Sequence, residues 1–284
     1  MNKSTIWLNV LFNNFIKNSD VEIYFEEKEK LKSNKKVLNF SIHPLRFADD
    51  IFFNIETNND EIRKKLKNYE VNYNKFYYHA DLVKATYLKN VKKEKYKSNS
   101  LIIVGQTEKD KVLFDGNKHL SLLDFKEELI NISKRYDNVY FKPHPYAKNS
   151  KYIFKELKKE LKNVNIVYDN IYHLLSSENI KSVVGLNSSV LYEAEYFKKE
   201  VNFLYKPYFN FNNKDIGIDS DYFNTSFWSD ILDIKDENVT LKYSPNRLRK
   251  LINDFWGYNE INDEIVLKDI LKSKVKYFLN RYIR

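Results

Sequence analysis

Between residues 101 and 205, short and mostly apolar runs alternate with amphipathic stretches, and this rhythm restricts the chain to few folds. The runs fall at 101–104, 139–141, 164–168, 180–184 and 201–205. Between them, residues 122–136, 153–161, 171–176 and 189–198 carry apolar residues at helical spacing. Strands that are apolar on both faces must be covered on both faces. The pattern therefore predicts an α/β fold with a parallel sheet between helices.

Upstream, residues 21–25 and 36–42 read as strands, and 60–68 and 74–91 as helices. In the second helix Phe76, Ala80, Leu82, Val83, Ala85, Tyr87 and Leu88 spread around the axis. That spread predicts burial on more than one side. The charged run Lys92-Lys93-Glu94-Lys95-Tyr96-Lys97-Ser98-Asn99 marks a boundary. Three segments follow: an N-terminal α/β domain over 1–97, a Rossmann-like domain over 98–243, and C-terminal helices over 244–284. In the last segment, residues 261–283 carry Ile265, Leu267, Ile270, Leu271, Val275, Phe278 and Leu279 against several Lys and Arg. This amphipathic helix reads as packing across the domains, ahead of the alternative of lying on an anionic membrane. The segment Ile6-Trp7-Leu8-Asn9-Val10-Leu11-Phe12 reads as part of the fold, since no small-residue cleavage site follows it. No stretch approaches the ~18 apolar residues of a spanning helix.

Composition removes several chemistries. The 284 residues contain no cysteine, which excludes disulfides, thiolate metal sites and cysteine nucleophiles. The five histidines show no metal-ligand spacing, and no metal is expected. There is no G-x-G-x-x-G, Walker loop, G-x-S-x-G or H-E-x-x-H. A net charge of +9 suits nucleic acid, an anionic membrane or an anionic substrate. Acidic residues lie among the basic ones along the whole chain, so most of that charge reads as solvated surface. An RNA-binding protein is the alternative outside enzymes. It ranks low, because the aromatic residues are dispersed and no nucleic-acid motif appears, so no nucleic-acid partner is expected.

Three turns stand where strands give way to polar sequence, the end of an open α/β sheet at which ligands bind. In Lys142-Pro143-His144-Pro145 each proline holds the residue before it extended, so the turn is stiff. Its ammonium and imidazole suit phosphate oxygens. In Gly185-Leu186-Asn187-Ser188-Ser189 the hydroxyls open a helix, where they cap N–H groups and an anion can bind. Glu193 lies one turn further along that helix and reads as a ribose contact or as a solvated helix residue. After 101–104 comes Gly105-Gln106-Thr107-Glu108-Lys109-Asp110. Gln106, Glu108 and Asp110 are the catalytic candidates there, because a carboxylate beside a sugar phosphate can act as base or nucleophile.

These elements, in this order and spacing, resemble bacterial capsule polysaccharide biosynthesis glycosyltransferases of the Kdo-transferase type. Gly105-Gln106 is followed by Asp110, Lys142 to Pro145 matches in full, and Ser188 precedes Glu193 by five. The resemblance runs from about residue 73 to 208. It implies a GT-B-like architecture of two Rossmann-like domains facing a cleft. It also implies metal-free transfer of Kdo from CMP-Kdo to a glycan or glycolipid acceptor, in the cytoplasm or at the inner face of the cytoplasmic membrane. Asp110 would then be the catalytic carboxylate of a retaining reaction, Lys142, His144 and Ser188 would hold the CMP phosphate with Ser189 and Asn187 beside them, and Glu193 would meet the ribose. Arg46 is the candidate partner of the sugar carboxylate, with Asp49 and Asp50 nearby as ordinary ion-pair alternatives. The chain departs from the family at Phe197-Lys198-Lys199 and at Lys206 to Phe211, where family members carry glycine. A His-Pro turn followed by paired serines also resembles bacterial sialyltransferases using CMP-sialic acid, and CDP-glycerol-type polymer transferases.

Overall fold

The computed structural model describes residues 20–42, 45–47, 53–68, 74–90, 95–108, 110–207, 216–218 and 225–233. The expected C-terminal helices over 244–284 and the apolar segment 6–12 lie outside these residues.

The regular rhythm folds as its burial requires. Strands β4 (Ser100–Val104), β7 (Asn138–Lys142), β8 (Val164–Ile166), β9 (Ile180–Gly185) and β10 (Glu200–Phe203) form one parallel sheet in the order β10-β9-β4-β7-β8. Every residue of β4 is buried. The chain enters at the centre, winds outward through β7 and β8, then returns to the other side of β4 through β9 and β10. Between β4 and β9 the direction of winding reverses, and the loops after these two strands part. Such a switch point is where open parallel sheets leave a crevice beyond their carboxyl ends.

Helices cover both faces. Numbered in chain order, they are α1 (Asp60–Lys67), α2 (Asn74–Asn90), α3 (Lys126–Ser133), α4 (Ser150–Glu160), α5 (Ile171–Ser176), α6 (Ser189–Tyr196) and α7 (Thr225–Leu232). One core layer joins Ile102, Val104 and Val183 to Leu174, Leu191 and Ala194; the other joins Leu101, Ile103 and Phe141 to Leu129, Ile153 and Leu157. The helix expected over 122–136 is divided. A capping box at Ser121 and Asp124 starts a 3-10 turn over Leu122–Phe125, and α3 ends where the Ser133 hydroxyl donates back to the Ile130 carbonyl at 2.8 Å.

The N-terminal half builds a second sheet. Strand β1 (Val21–Phe25) is parallel to β2 (Lys36–Ile42), and β3 (Phe53–Thr57) is antiparallel to β2. A short hairpin of β5 (Phe114–Asp115) and β6 (Lys118–His119) stands apart. Strand β11 (Ile216–Ile218) leaves the parallel sheet behind and pairs antiparallel with β3. Helix α7 follows it there: Trp228 is fully buried with its ring 5.9 Å from Phe40, and Lys65 of α1 bonds the Asp230 carbonyl at 2.8 Å. Residues 216–218 and 225–232, within the span 98–243, thus pair and pack with the first sheet; three residues of Ile-Gly-Ile carry no periodicity that sequence could register.

Helix α2 corrects an expectation. Phe76 and Ala80 are buried, but Leu82 and Leu88 are 48% and 42% exposed. A single stripe, with Val83 at its edge, faces the core beside α5 and α6, and among the described residues nothing covers the opposite side.

Gly185 allows β9 to lie this close to β4: a Cβ there would stand 2.6 Å from Val104 Cγ2 and 3.2 Å from the Val104 carbonyl. We expect Gly185→Ala to lower stability by roughly 1–3 kcal/mol in urea unfolding, the range for overpacking. In Val104→Ala the added methyl finds room, so the loss caused by Gly185→Ala on that background falls below half.

Candidate functional site

Three loops meet at the switch point, each fixed by bonds that its sequence supplies. After β4, Gly105 donates its N–H to the Lys142 carbonyl at 2.8 Å, and a Cβ there would press on the His144 nitrogen at 3.1 Å. The Gln106 side chain then spans the crevice. Its amide nitrogen donates to Asp110 Oδ2 at 2.7 Å and to the Asn187 carbonyl at 3.4 Å, and its oxygen accepts from the Asn187 N–H at 3.1 Å. Asp110 Oδ1 accepts from the Val112 N–H at 3.3 Å, so both carboxylate oxygens are held. Glu108, the other acidic candidate, is directed elsewhere and accepts from the Asn149 N–H at 2.8 Å. It braces the loop before α4 rather than joining Asp110.

The loop after β9 is equally fixed. Asn187 is 7% exposed; its oxygen accepts from the Tyr192 hydroxyl at 3.0 Å and its nitrogen donates to the Lys206 carbonyl at 3.3 Å. Ser188, also 7% exposed, caps α6 by accepting from the Val190 N–H at 3.4 Å. Ser189 is half-buried in the first turn of that helix. The start of α6 thus sets two hydroxyls at the positive end of a helix, with the Val190 and Leu191 N–H groups already held by Ser188.

His144 carries the electrostatics of the crevice. Its Nδ1 accepts from the Tyr146 N–H at 3.2 Å, which leaves Nε2–H as the donor of the neutral ring. Burial lowers its pKa from 6.5 to about 4, helped by the charges of Arg46 and Lys142 and opposed by that of Asp110. The charges of Arg46, Lys142 and Asp110, from three separate segments, therefore all reach the His144 ring.

The Arg46 charge arrives by an unexpected route. Residues 45–47 leave the end of β2 in the first sheet and settle on α5 and α6 of the second. Leu45 is buried in the core beside Leu191 and Leu174. The Phe47 ring lies 5.5 Å from Phe197 and 5.9 Å from Tyr196. Between them Arg46 stays exposed, and its N–H donates to Glu193 Oε1 at 2.8 Å. Glu193 is only 1% exposed, so the solvated-helix reading of it fails. The same oxygen accepts from the Tyr172 hydroxyl at 2.9 Å. Burial raises the Glu193 pKa, against the lowering effects of the Arg46 charge, the Tyr172 hydroxyl and the backbone N–H groups of Arg46 and Phe47. Tyr172 and Phe47 carry no sequence mark; one lies inside a two-turn helix and the other in an irregular loop.

Lys142 to Pro145, Asp110 with Gln106, Asn187-Ser188-Ser189 and Arg46 are thus brought together, while Glu108 and Glu193 turn to internal donors. Among the described residues, no group of three or more His, Asp or Glu side chains gathers as metal ligands would, and no helix is long and apolar enough to cross a membrane.

The depressed His144 pKa has a thermodynamic sign. The unfolded imidazole binds its proton near 6.5 and the folded one near 4, so the contribution is complete above pH 6.5 and is lost as pH falls toward 4. We expect the wild type to lose about 2 kcal/mol more than His144→Gln between pH 7 and pH 4.5 in urea unfolding, after allowance for partial solvent screening.

Comparison with known proteins completes the picture. No curated protein sequence matches the chain. Among solved structures it is similar to Thermosulfurimonas dismutans KpsC, beta Kdo 2,7 transferase, at 13% identity and a TM-score of 0.41, over 79% of this chain and 78% of that one. The family model for alpha-2,8-polysialyltransferase matches residues 8–205, which include every turn of the crevice and the Arg46 loop. The chain belongs to the alpha-2,8-polysialyltransferase family of glycosyltransferases.

Proposed function

We propose that the protein transfers an anionic 2-keto sugar acid from a CMP-activated donor to a glycan or glycolipid acceptor in capsule polysaccharide synthesis. The observation that carries this reading is the meeting of three strand-end turns at the switch point, where Gly105 bonds the Lys142 carbonyl and Gln106 joins Asp110 to the Asn187 backbone. The charges of Arg46, Lys142 and Asp110 act there on the buried His144 ring, beside the start of a helix that itself attracts anions. A CMP-linked sugar acid offers two matching anions, a phosphodiester and a carboxylate on the anomeric carbon.

In this reading Lys142, the His144 Nε2–H, and Ser188 with Ser189 at the start of α6 hold the phosphate. Their bonds strengthen as charge gathers on the departing CMP, which lowers the barrier more than it tightens the ground state. No metal is needed, since these groups balance the leaving charge. Arg46 holds the sugar carboxylate in a planar fork. Asp110 is the reacting carboxylate, kept in one rotamer by Gln106 and the Val112 N–H. Its oxygen displaces CMP, which leaves with the bonding pair. An acceptor hydroxyl then displaces Asp110 and gives up its proton, so configuration is retained overall.

Kdo is the donor suggested by the resemblance of the motifs, and sialic acid the one suggested by the family description. Both are 2-keto acids linked through CMP, and the proposed contacts serve either. The two sheets, each ending in loops at the crevice, agree with a GT-B-like cleft. A lipid-linked acceptor would put the enzyme at the inner face of the cytoplasmic membrane.

The test is CMP release from CMP-Kdo made in situ, CMP-sialic acid and CDP-glycerol, each with a range of glycan acceptors. We expect turnover of a CMP-sugar acid, a fall of about 10²-fold or more in Asp110→Ala, and a raised donor KM in Lys142→Ala. A glycosylated Asp110 in quenched reactions marks the retaining route. Turnover of CDP-glycerol alone, or of none of the three, overturns the reading.

A further inference from the structure

A carboxylate in a nucleotide-sugar crevice is ordinarily assigned to the ligand, and Glu193 invites that reading from sequence. Its surroundings argue otherwise. The side chain is 1% exposed, and its Oε1 already accepts from the Arg46 N–H and the Tyr172 hydroxyl. One backbone N–H of an irregular loop is thereby satisfied by a side chain from another element, and that N–H left buried and unpaired would be costly.

The loop held in this way is short and its side chains are sorted. Leu45 and Phe47 enter the apolar layer, and Arg46 between them faces out. The Arg46 charge acts on His144, on Glu193 and on Tyr172. The guanidinium charge is therefore felt both by the buried carboxylate and by the imidazole of the crevice. Tyr172 comes from α5, whose first turn is fixed by the Asn170 cap on the Tyr172 N–H at 2.9 Å. Burial and the neighbouring Glu193 charge raise the Tyr172 pKa well above its ordinary value, so the phenol remains a donor. Packing of Tyr172 against Phe197, centroids 6.1 Å apart, closes the arrangement from below.

We propose that Glu193 is a positioning residue: held by Tyr172, it clamps the backbone of residue 46 onto α6, and so presents the Arg46 guanidinium to the anion crevice beside His144. The clamp joins the connection between β2 and β3 in the first sheet to the helix that opens the phosphate site in the second. Its consequence for the sugar carboxylate rests on the transferase reading above; the clamp itself does not. An acceptor oxygen is all that the Arg46 N–H and the Tyr172 hydroxyl need, so Glu193→Gln preserves the arrangement and Glu193→Ala abolishes it.

The experiment reads His144 in the ligand-free protein by proton–carbon NMR, with its signal identified by its loss in His144→Gln. The groups acting on that ring are Arg46, Lys142 and Asp110. Removing the cation in Arg46→Gln raises the His144 pKa. We expect Glu193→Ala to raise it by a similar amount, with no further rise in the double variant, while Glu193→Gln stays at the wild-type value. In steady state, Glu193→Ala should raise the donor KM about tenfold at nearly constant kcat, and Glu193→Gln should recover most of that loss. Should Glu193→Ala fail to fold, Tyr172→Phe removes one arm of the clamp and should move His144 part of the way. A His144 pKa that rises in Arg46→Gln but not in Glu193→Ala or Tyr172→Phe overturns the proposal. So does a loss of donor binding in Glu193→Gln with His144 unmoved, which is the signature of a ribose contact. Failure of the transferase reading would appear as absent CMP release and would leave the titrations as they are.

Discussion

The close approach of β9 to β4 is the constraint on which the rest depends. Backbone pairing sets the two strands side by side at the centre of the parallel sheet, and Gly185, with no side chain, leaves room for Val104 at their ends. Their exits then diverge, because the chain winds outward from β4 in both directions. A crevice at that point follows from topology, before any polar residue is considered. What gives it the polar groups that an anion would meet, on the reading proposed, is the next residue or two of each strand: Gln106 after Gly105, His144 after the β7 exit, Ser188 after Asn187. Gly105 serves the same end, since a methyl there would push the His144 backbone away.

The polar groups are arranged so that few are left to adapt. Gln106 bonds Asp110 on one side and the Asn187 backbone on both of its peptide groups. Asn187 is held in turn by Tyr192. This network holds the Asp110 carboxylate against the helix start. Arg46 and Lys142 provide positive charge, and burial keeps the nearby imidazole neutral down to about pH 4. On the reading proposed, an incoming anion meets two cations and a neutral donor beside a carboxylate already held in place.

Much of this was legible in the chain itself. The parallel sheet, its strand positions and the three turns at its strand ends follow from apolar runs, prolines and cap residues. Those signals are local, and local burial decides them. What escaped was non-local. Strand β3 is short and pairs with the edge of β2, and the three residues of β11, too few to show a period, pair in turn with the edge of β3. The exposed side of α2 could not be told from its buried side, since Leu82 and Phe76 look alike without a partner surface. Glu193 shows the same limit. Its position one turn into α6 was readable, but its burial depends on a loop some 150 residues earlier. Glu108 was grouped with Asp110 by proximity in sequence, and the Asn149 N–H takes it away.

The central claim is that this crevice receives the CMP phosphate. It is tested most directly by titrating CMP into the protein at pH 7 while following the His144 ring by NMR. The account predicts a saturable shift of the His144 signal, with a rise in its pKa as the phosphate charge arrives, and loss of that shift in Lys142→Ala. CMP that binds with the His144 signal unmoved, or does not bind at all, would contradict it.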